Sequence, residues 1–162
     1  MTSTLKVDQI QLADGTAPTA ADLGFAAGSI IQTQSRTTQV RSNTSSNSFI
    51  ATDVYATITP KFTNSKILIM CSTTVSNEAA GRSLIATIYR DSTNLANDGF
   101  TQHYTDSSTR VRSGLHISYV DTPNTTSEVT YKLYYRNSQS GNVEIPPLNN
   151  IPQTMTLLEI AG

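Results

Sequence analysis

Short segments with apolar side chains at every second position recur along residues 30–160, and they constrain the fold more than any other feature. In "DVYATITP", Val54, Ala56 and Ile58 alternate with Tyr55 and Thr57, and "EVTYKLYYRN" repeats the pattern. A period of two is the side-chain repeat of a β-strand. About eight such segments, separated by turn signals, predict an all-β chain folded as a jelly-roll-like β-sandwich.

Two segments are apolar at consecutive positions. "KILIMC" contains the unbroken run 67–71, which predicts a strand near the centre of the molecule that is covered on both faces. "TLLEI", residues 156–160, lies so close to the last residue that it would fray unless it were tied down. We therefore expect it inside a sheet or at a subunit interface. "RSLIATIYR" also fits a helix, but its β-branched residues favour a strand.

The opening "STLKVDQIQLADGT" differs from the rest of the chain. Leu5 and Val7, then Ile10 and Leu12, form two period-two runs offset by one residue, which predicts an extended peptide with one apolar face. It is either the first strand of the fold or a docking arm. Because residues 13–29 are rich in Ala, Gly, Thr and Pro, we divide the chain into an attachment arm with its linker, 1–27, and a sandwich domain, 28–162.

The charge and hydropathy of the chain exclude several partners. Only 14% of residues are charged and the formal net charge is -1, so the chain lacks the basic footprint of a nucleic-acid-binding protein. No stretch approaches the ~18 apolar residues of a membrane span, and the first residues lack a signal-peptide pattern. We expect synthesis in a cytoplasm, no membrane insertion and no nucleic-acid partner.

No residue pattern indicates catalysis. Cys71 lies in an apolar strand, where a thiol behaves as a small hydrophobe, and His103 and His116 are too far apart for a local ligand motif. A three-fold oligomer could still bring three copies of one His around an axial metal. Asn97, Asp98 and Gly99 fit a tight turn better than a calcium loop. We predict a protein that is not an enzyme and has no cofactor and no metal.

Four segments carry a resemblance to a known group of proteins. "STLKVDQIQLADGT", "SKILIM", "IYRDSTNL" and "TLLEIAG" occur in this order between residues 3 and 162. Together they resemble small tail-fibre and other virion structural proteins of marine and cyanobacterial tailed phages. These segments are structural rather than catalytic.

The resemblance implies a virion component, a homotrimer whose N-terminal arm fixes it to other phage proteins through Leu5, Val7, Ile10 and Leu12. The β-domain would then project outward as a tail fibre or fibre tip and contact the host surface. The alternative is a capsid or tail decoration protein with no receptor-binding role. A secreted lectin or signalling ligand and a glycan depolymerase are weaker alternatives, because the chain shows neither a signal peptide nor internal repeats.

The stretch from Asn94 to Arg112 is the longest polar connection, and we predict host contact there. Asp98, Phe100, His103 and Tyr104 combine aromatic faces, which stack on sugar rings, with groups that hydrogen-bond to sugar hydroxyls. A host glycan or a host surface protein would be the partner. Phe100 has an alternative role, which is to hold the connection against the sandwich.

Overall fold

A computed structural model describes residues 12–16, 18–77, 80–106, 109–139 and 141–162. This part of the chain contains strands and turns and no α-helix, which confirms the all-β prediction. The strands are β1 (Ile30–Thr38), β2 (Ser42–Thr44), β3 (Ile50–Ile58), β4 (Lys66–Asn77), β5 (Arg82–Arg90), β6 (Thr93–Asn94), β7 (Thr101–Thr105), β8 (Val111–Asp121), β9 (Val129–Asn137), β10 (Val143–Ile145) and β11 (Gln153–Ile160).

The strands form two antiparallel sheets. In the first sheet β1 pairs with β11, β11 with β4, and β4 with β8, while β10 and β2 extend it beside the end of β4. In the second sheet β3 pairs with β9, β9 with β5, and β5 with both β7 and β6. The chain is therefore a β-sandwich of two sheets.

Alternate side chains of the two sheets meet in a single apolar core. The strand β9 illustrates the cause, since Val129, Tyr131, Leu133 and Tyr135 are buried while the residues between them are partly exposed. A pleated strand points successive side chains to opposite faces, so a period of two in sequence becomes one buried face. The same alternation in β3 buries Val54, Ala56 and Ile58, as the sequence predicts.

The two apolar strands occupy the middle of the first sheet. β4 lies between β11 and β8, and β11 lies between β1 and β4, so both predictions of an internal position are confirmed. The prediction that β4 is covered on both faces is wrong for the single chain. Ile67, Ile69 and Cys71 face the core, whereas Leu68 and Met70 face outward, because only one sheet packs against β4. The prediction of a strand at "RSLIATIYR" is also confirmed, by β5.

The linker packs against one end of the sandwich. Thr19 and Asp22 hydrogen-bond to each other across one turn, and Gly24 follows with a φ of 84°. Ala20 is 1% exposed and packs with Phe62 and Ala161, so the linker contacts the last residues of the chain. We call this the arm end of the sandwich.

A buried carboxylate holds the arm end together. Glu159 on β11 is fully buried and accepts hydrogen bonds from the backbone N–H of Lys61, from the Ser65 hydroxyl and from the Gln32 amide. Because a buried carboxylate is costly without donors, these contacts fix the connection between β3 and β4 against the last strand.

Candidate functional surfaces

The sequence predicts that the stretch from Asn94 to Arg112 is one polar connection, but the structure shows that it is divided. Residues 101–105 form β7, paired to β5 with Leu84 opposite His103, and β8 begins at Val111. β7 lies at the edge of the second sheet, where Gln102 and Tyr104 are exposed while Thr101 and His103 are half-buried and Thr105 is buried. Host contact in this region would involve an edge strand rather than a flexible loop.

Two of the predicted contact residues lie in the turn before β7. Asp98 is exposed, and Gly99 adopts a φ of 97° with its N–H bonded to the Ala96 carbonyl, which confirms the predicted turn. Phe100 packs against the core, with its ring centroid 4.7 Å from that of Tyr119. This position matches the alternative role of Phe100, which is to hold the turn against the sandwich.

The other two predicted residues alternate on β7. His103 lies on the core side opposite Leu84, and desolvation lowers its pKa. Its Nδ1 is buried and has no hydrogen-bond partner in the part of the chain that the structure describes. Tyr104 points to the other side and is 58% exposed, so it is the one aromatic of the predicted set whose ring is largely open to a ligand.

Of the predicted arm residues, the structure describes only Leu12, which is 36% exposed. Leu5, Val7 and Ile10 lie outside the described residues.

The outer face of the first sheet carries an apolar row. Leu158 on β11 pairs with Leu68 on β4, which pairs with Val120 on β8, so the three side chains lie side by side across the strands. Val120 is 47% exposed, and Met70 in the next row is 41% exposed. Beyond Met70 a shallow cleft of about 410 Å³ reaches His116, which is exposed as its alternation with buried neighbours predicts. We call this surface the apolar row.

The outer face of the second sheet carries aromatic rings and cations, which we call the aromatic face. Its members on this sheet are Phe49, Tyr55, Tyr89, Tyr134, Lys132 and Arg136, and Arg36 reaches the Tyr55 ring from β1 of the first sheet; all are half-buried. The rings of Tyr89 and Tyr134 are stacked with centroids 4.0 Å apart, and Phe49 meets Tyr89 edge to face. This cluster is not among the sites predicted from the sequence. Its signal is present in β9, where Lys132, Tyr134 and Arg136 alternate with the core residues.

The buried ionisable groups in the described chain are engaged in structural contacts. Glu144 is 1% exposed and pairs with Arg41 and Arg110, and Asp121 accepts hydrogen bonds from Arg90 and from the Tyr131 hydroxyl. Burial raises the pKa of the Cys71 thiol to about 12, so it is protonated and unreactive at neutral pH. Cys71 is thus the buried hydrophobe that the sequence predicts.

The described residues contain no group of three or more His, Cys, Asp or Glu side chains placed to hold a metal ion. This part of the chain also holds no helix that could cross a bilayer. No protein-family model matches the chain, and no curated protein matches it. The surfaces described above therefore carry the functional argument.

Proposed function

We propose that this chain is a structural subunit of a tailed-phage virion, a trimeric tail fibre or fibre-tip protein. Its N-terminal arm attaches it to other virion proteins, and its sandwich domain contacts the host surface. One observation carries the proposal. The segments "SKILIM" and "TLLEIAG", which support the resemblance to phage proteins, are neighbouring paired strands that form most of the apolar row.

The sandwich domain is, in this proposal, a jelly roll. Supporting this, the strand pairs are nested: β1 pairs with β11, β3 with β9, β4 with β8, and β5 with β7. A single long hairpin rolled up over itself produces this order, with successive strands of each arm alternating between the two sheets. Jelly rolls also recur in proteins that assemble through one sheet, which fits a trimer.

The trimer forms through the apolar row. Leu68, Val120 and Leu158 are large apolar side chains on a surface that no other part of the described chain covers. Exposed apolar rows of this kind mark interaction surfaces. The neighbouring residues are mostly Ser and Thr, which cost less to desolvate against a closely packed copy than charged residues would. A second and third copy would thus give β4 the cover on both faces that its apolar run predicts.

The arm leaves the sandwich beside the linker. Leu12 is exposed and the following residues reach the arm end, where Gly28 donates its N–H to the Ala161 carbonyl. Arms from three copies would emerge near one another if the trimer is parallel. Linked arms bind at high effective concentration, which makes a short apolar peptide an adequate anchor.

The test has two parts. Light scattering on the purified chain should give three times the 17.5 kDa subunit mass. Antibodies raised against it should label intact phage particles at the tail. A stable monomer at micromolar concentration would contradict the trimer, and absence of the chain from purified particles would contradict the virion role. Labelling of the capsid or tail tube, with host adsorption unchanged by the antibody, would favour the decoration protein instead.

A further inference from the structure

We propose that the aromatic face binds acidic saccharide chains, meaning sugars that carry carboxylate or other anionic groups. This inference rests on the proposed host contact and names its ligand class and its site. It shifts the main contact from the stretch Asn94–Arg112 to the outer surface of the second sheet. If the first sheet faces the trimer axis, this surface faces outward.

The aromatic rings supply the stacking component of a saccharide site. Tyr55, Lys132 and Tyr89 lie directly across from one another on β3, β9 and β5, and Tyr134 is in the adjacent row opposite Ala51 and Thr87. These cross-strand neighbours of Tyr134 are small, and its ring stacks on that of Tyr89. Rings held by contacts with each other lose little conformational entropy on binding, because they are already ordered.

The cations of this face supply selectivity for anionic ligands. Arg36 is neutralised by Asp53, whose Oδ2 is 2.9 Å from the guanidinium. Lys132 and Arg136 form no salt bridge within the described residues. The pKa of the Asp53 carboxyl is lowered by its hydrogen bond from Thr38, by Arg36 and also by the charge of Lys132, so Lys132 lies near this carboxylate. The Lys132 ammonium lies 4.9 Å from the Tyr55 centroid, and the Arg136 guanidinium lies 5.0 Å from that of Phe49. Arg36, Lys132 and Arg136 together carry more positive charge than the Asp53 carboxylate beside them offsets, and this excess is complementary to an anionic ligand.

Arg136 gives a second sign of an incomplete site. Its Nε is buried without a hydrogen-bond partner in the described chain, and its Nη1 makes one 3.4 Å contact with the Asn47 carbonyl. Because the Nε is closed to solvent, an anionic group on a ligand would accept from the terminal N–H groups of the guanidinium, where Nη1 makes only this long contact.

Two observations favour a saccharide over a single-stranded nucleic acid. A nucleic-acid channel needs a track of basic residues along the phosphate backbone, whereas the described part of this face has three clustered cations beside the Asp53 carboxylate. Tyr104 extends the same face at its edge, opposite Ser83 on β5, and it adds a phenol hydroxyl that suits sugar hydroxyls.

Affinity electrophoresis of the full-length chain tests the proposal. The chain should be retarded in gels that contain alginate and not in gels that contain neutral dextran. Lys132→Gln should weaken alginate binding by about tenfold, the size expected for loss of a charged hydrogen bond. Lys61→Gln removes a charge from an exposed lysine at the arm end and should change binding by less than about twofold.

A second pair of variants tests the stacking component. Tyr134→Leu keeps apolar bulk but removes the ring, and it should weaken binding as strongly as Lys132→Gln. Phe25→Leu, which alters an exposed ring at the arm end, should have no effect. Circular dichroism and light scattering on each variant verify folding and oligomeric state.

Equal retardation by dextran, or equal losses in Lys132→Gln and Lys61→Gln, would overturn the proposal. Tighter binding to a twenty-nucleotide oligo(dT) than to alginate would also overturn it, in favour of a nucleic-acid surface. These outcomes concern the ligand alone, because membership of the virion is measured separately by labelling of particles.

Discussion

The Ser65 hydroxyl donates a 2.6 Å hydrogen bond to Oε1 of Glu159, joining the first residue of "SKILIM" to the middle of "TLLEIAG". The two residues are 94 positions apart in sequence, and both are buried. The same carboxylate also accepts from the backbone of Lys61. Glu159 is therefore the residue that fixes the connection after β3 to the last strand.

Replacing Glu159 should destabilise the fold. In Glu159→Gln one acceptor oxygen becomes an NH₂ donor that faces donors, so we expect a loss of about 2 kcal/mol in the free energy of unfolding. Urea unfolding at fixed protein concentration measures this loss. Glu128→Gln makes the same chemical change at an exposed position and should be neutral. A neutral Glu159→Gln would mean that the carboxylate contributes little.

A charge in the apolar row should prevent trimerisation. Val120→Glu leaves the core intact because the side chain is outward-facing, but it would place an unpaired carboxylate in the interface. We expect light scattering at a protein concentration of about 10 μM to show a folded monomer. Val40→Glu, at a side chain that is 55% exposed and outside the row, should remain trimeric. Trimers in both variants would locate the interface elsewhere.

Removing the arm should separate attachment from folding. Deletion of residues 1–13 should leave a folded trimer, because the core strands begin at Ile30. The truncated trimer should no longer join particles in an assembly assay. Loss of folding after this deletion would identify the segment as a core strand and would move the domain boundary.

The exposed ring on β7 should contribute to adsorption rather than to stability. Tyr104→Ala is expected to change the free energy of unfolding by no more than about 0.5 kcal/mol, as is usual for surface substitutions. It should reduce adsorption of assembled phage to host cells. Unchanged adsorption in Tyr104→Ala and in the double variant with His103→Ala would favour the decoration-protein alternative.

Acid should weaken the fold partly through His103. Desolvation lowers the pKa of this imidazole in the folded state, so the unfolded chain takes up its proton first as the pH falls. The contribution of His103 to the free energy of unfolding is fully present above about pH 6.5, the ordinary pKa of the side chain. It is lost as the pH falls through the lower pKa that His103 has in the folded state. His103→Gln should therefore lose less stability than the parent between pH 7 and about pH 5, over which carboxylates contribute little. Urea titrations of both proteins at each pH measure the difference.

The sequence predicts strands well where one face is buried and the other is not. The alternation around Tyr131 and Leu133 is sufficient to assign β9 and its core face. It is insufficient for "KILIMC", where Leu68 and Met70 are apolar although no part of the described chain covers them. An apolar outer face produced by association has the same local pattern as one produced by a second layer of the same chain, so periodicity cannot distinguish them.

The candidate site is harder to predict because it is assembled from distant strands. Tyr55, Tyr89 and Lys132 become neighbours only through the register of β3, β5 and β9, and no local spacing encodes that register. The sequence instead draws attention to residues 94–112, where polar residues are contiguous. These contiguous polar residues form an edge strand and the turn before it, whereas the larger aromatic cluster lies on the outer face of the same sheet.

The pairing of β1 with β11 has a consequence for the order of folding. Thr33 on β1 pairs with Leu158 on β11. The hydrogen bonds between these two strands therefore cannot form until residues near 158 have been synthesised. Closing so long a loop is entropically expensive, and contacts of high sequence separation slow folding. Nascent chains would expose an unpaired strand edge throughout translation. We therefore expect chaperones and growth temperature to affect the folding yield in cells more strongly than they affect the equilibrium stability of the finished sandwich.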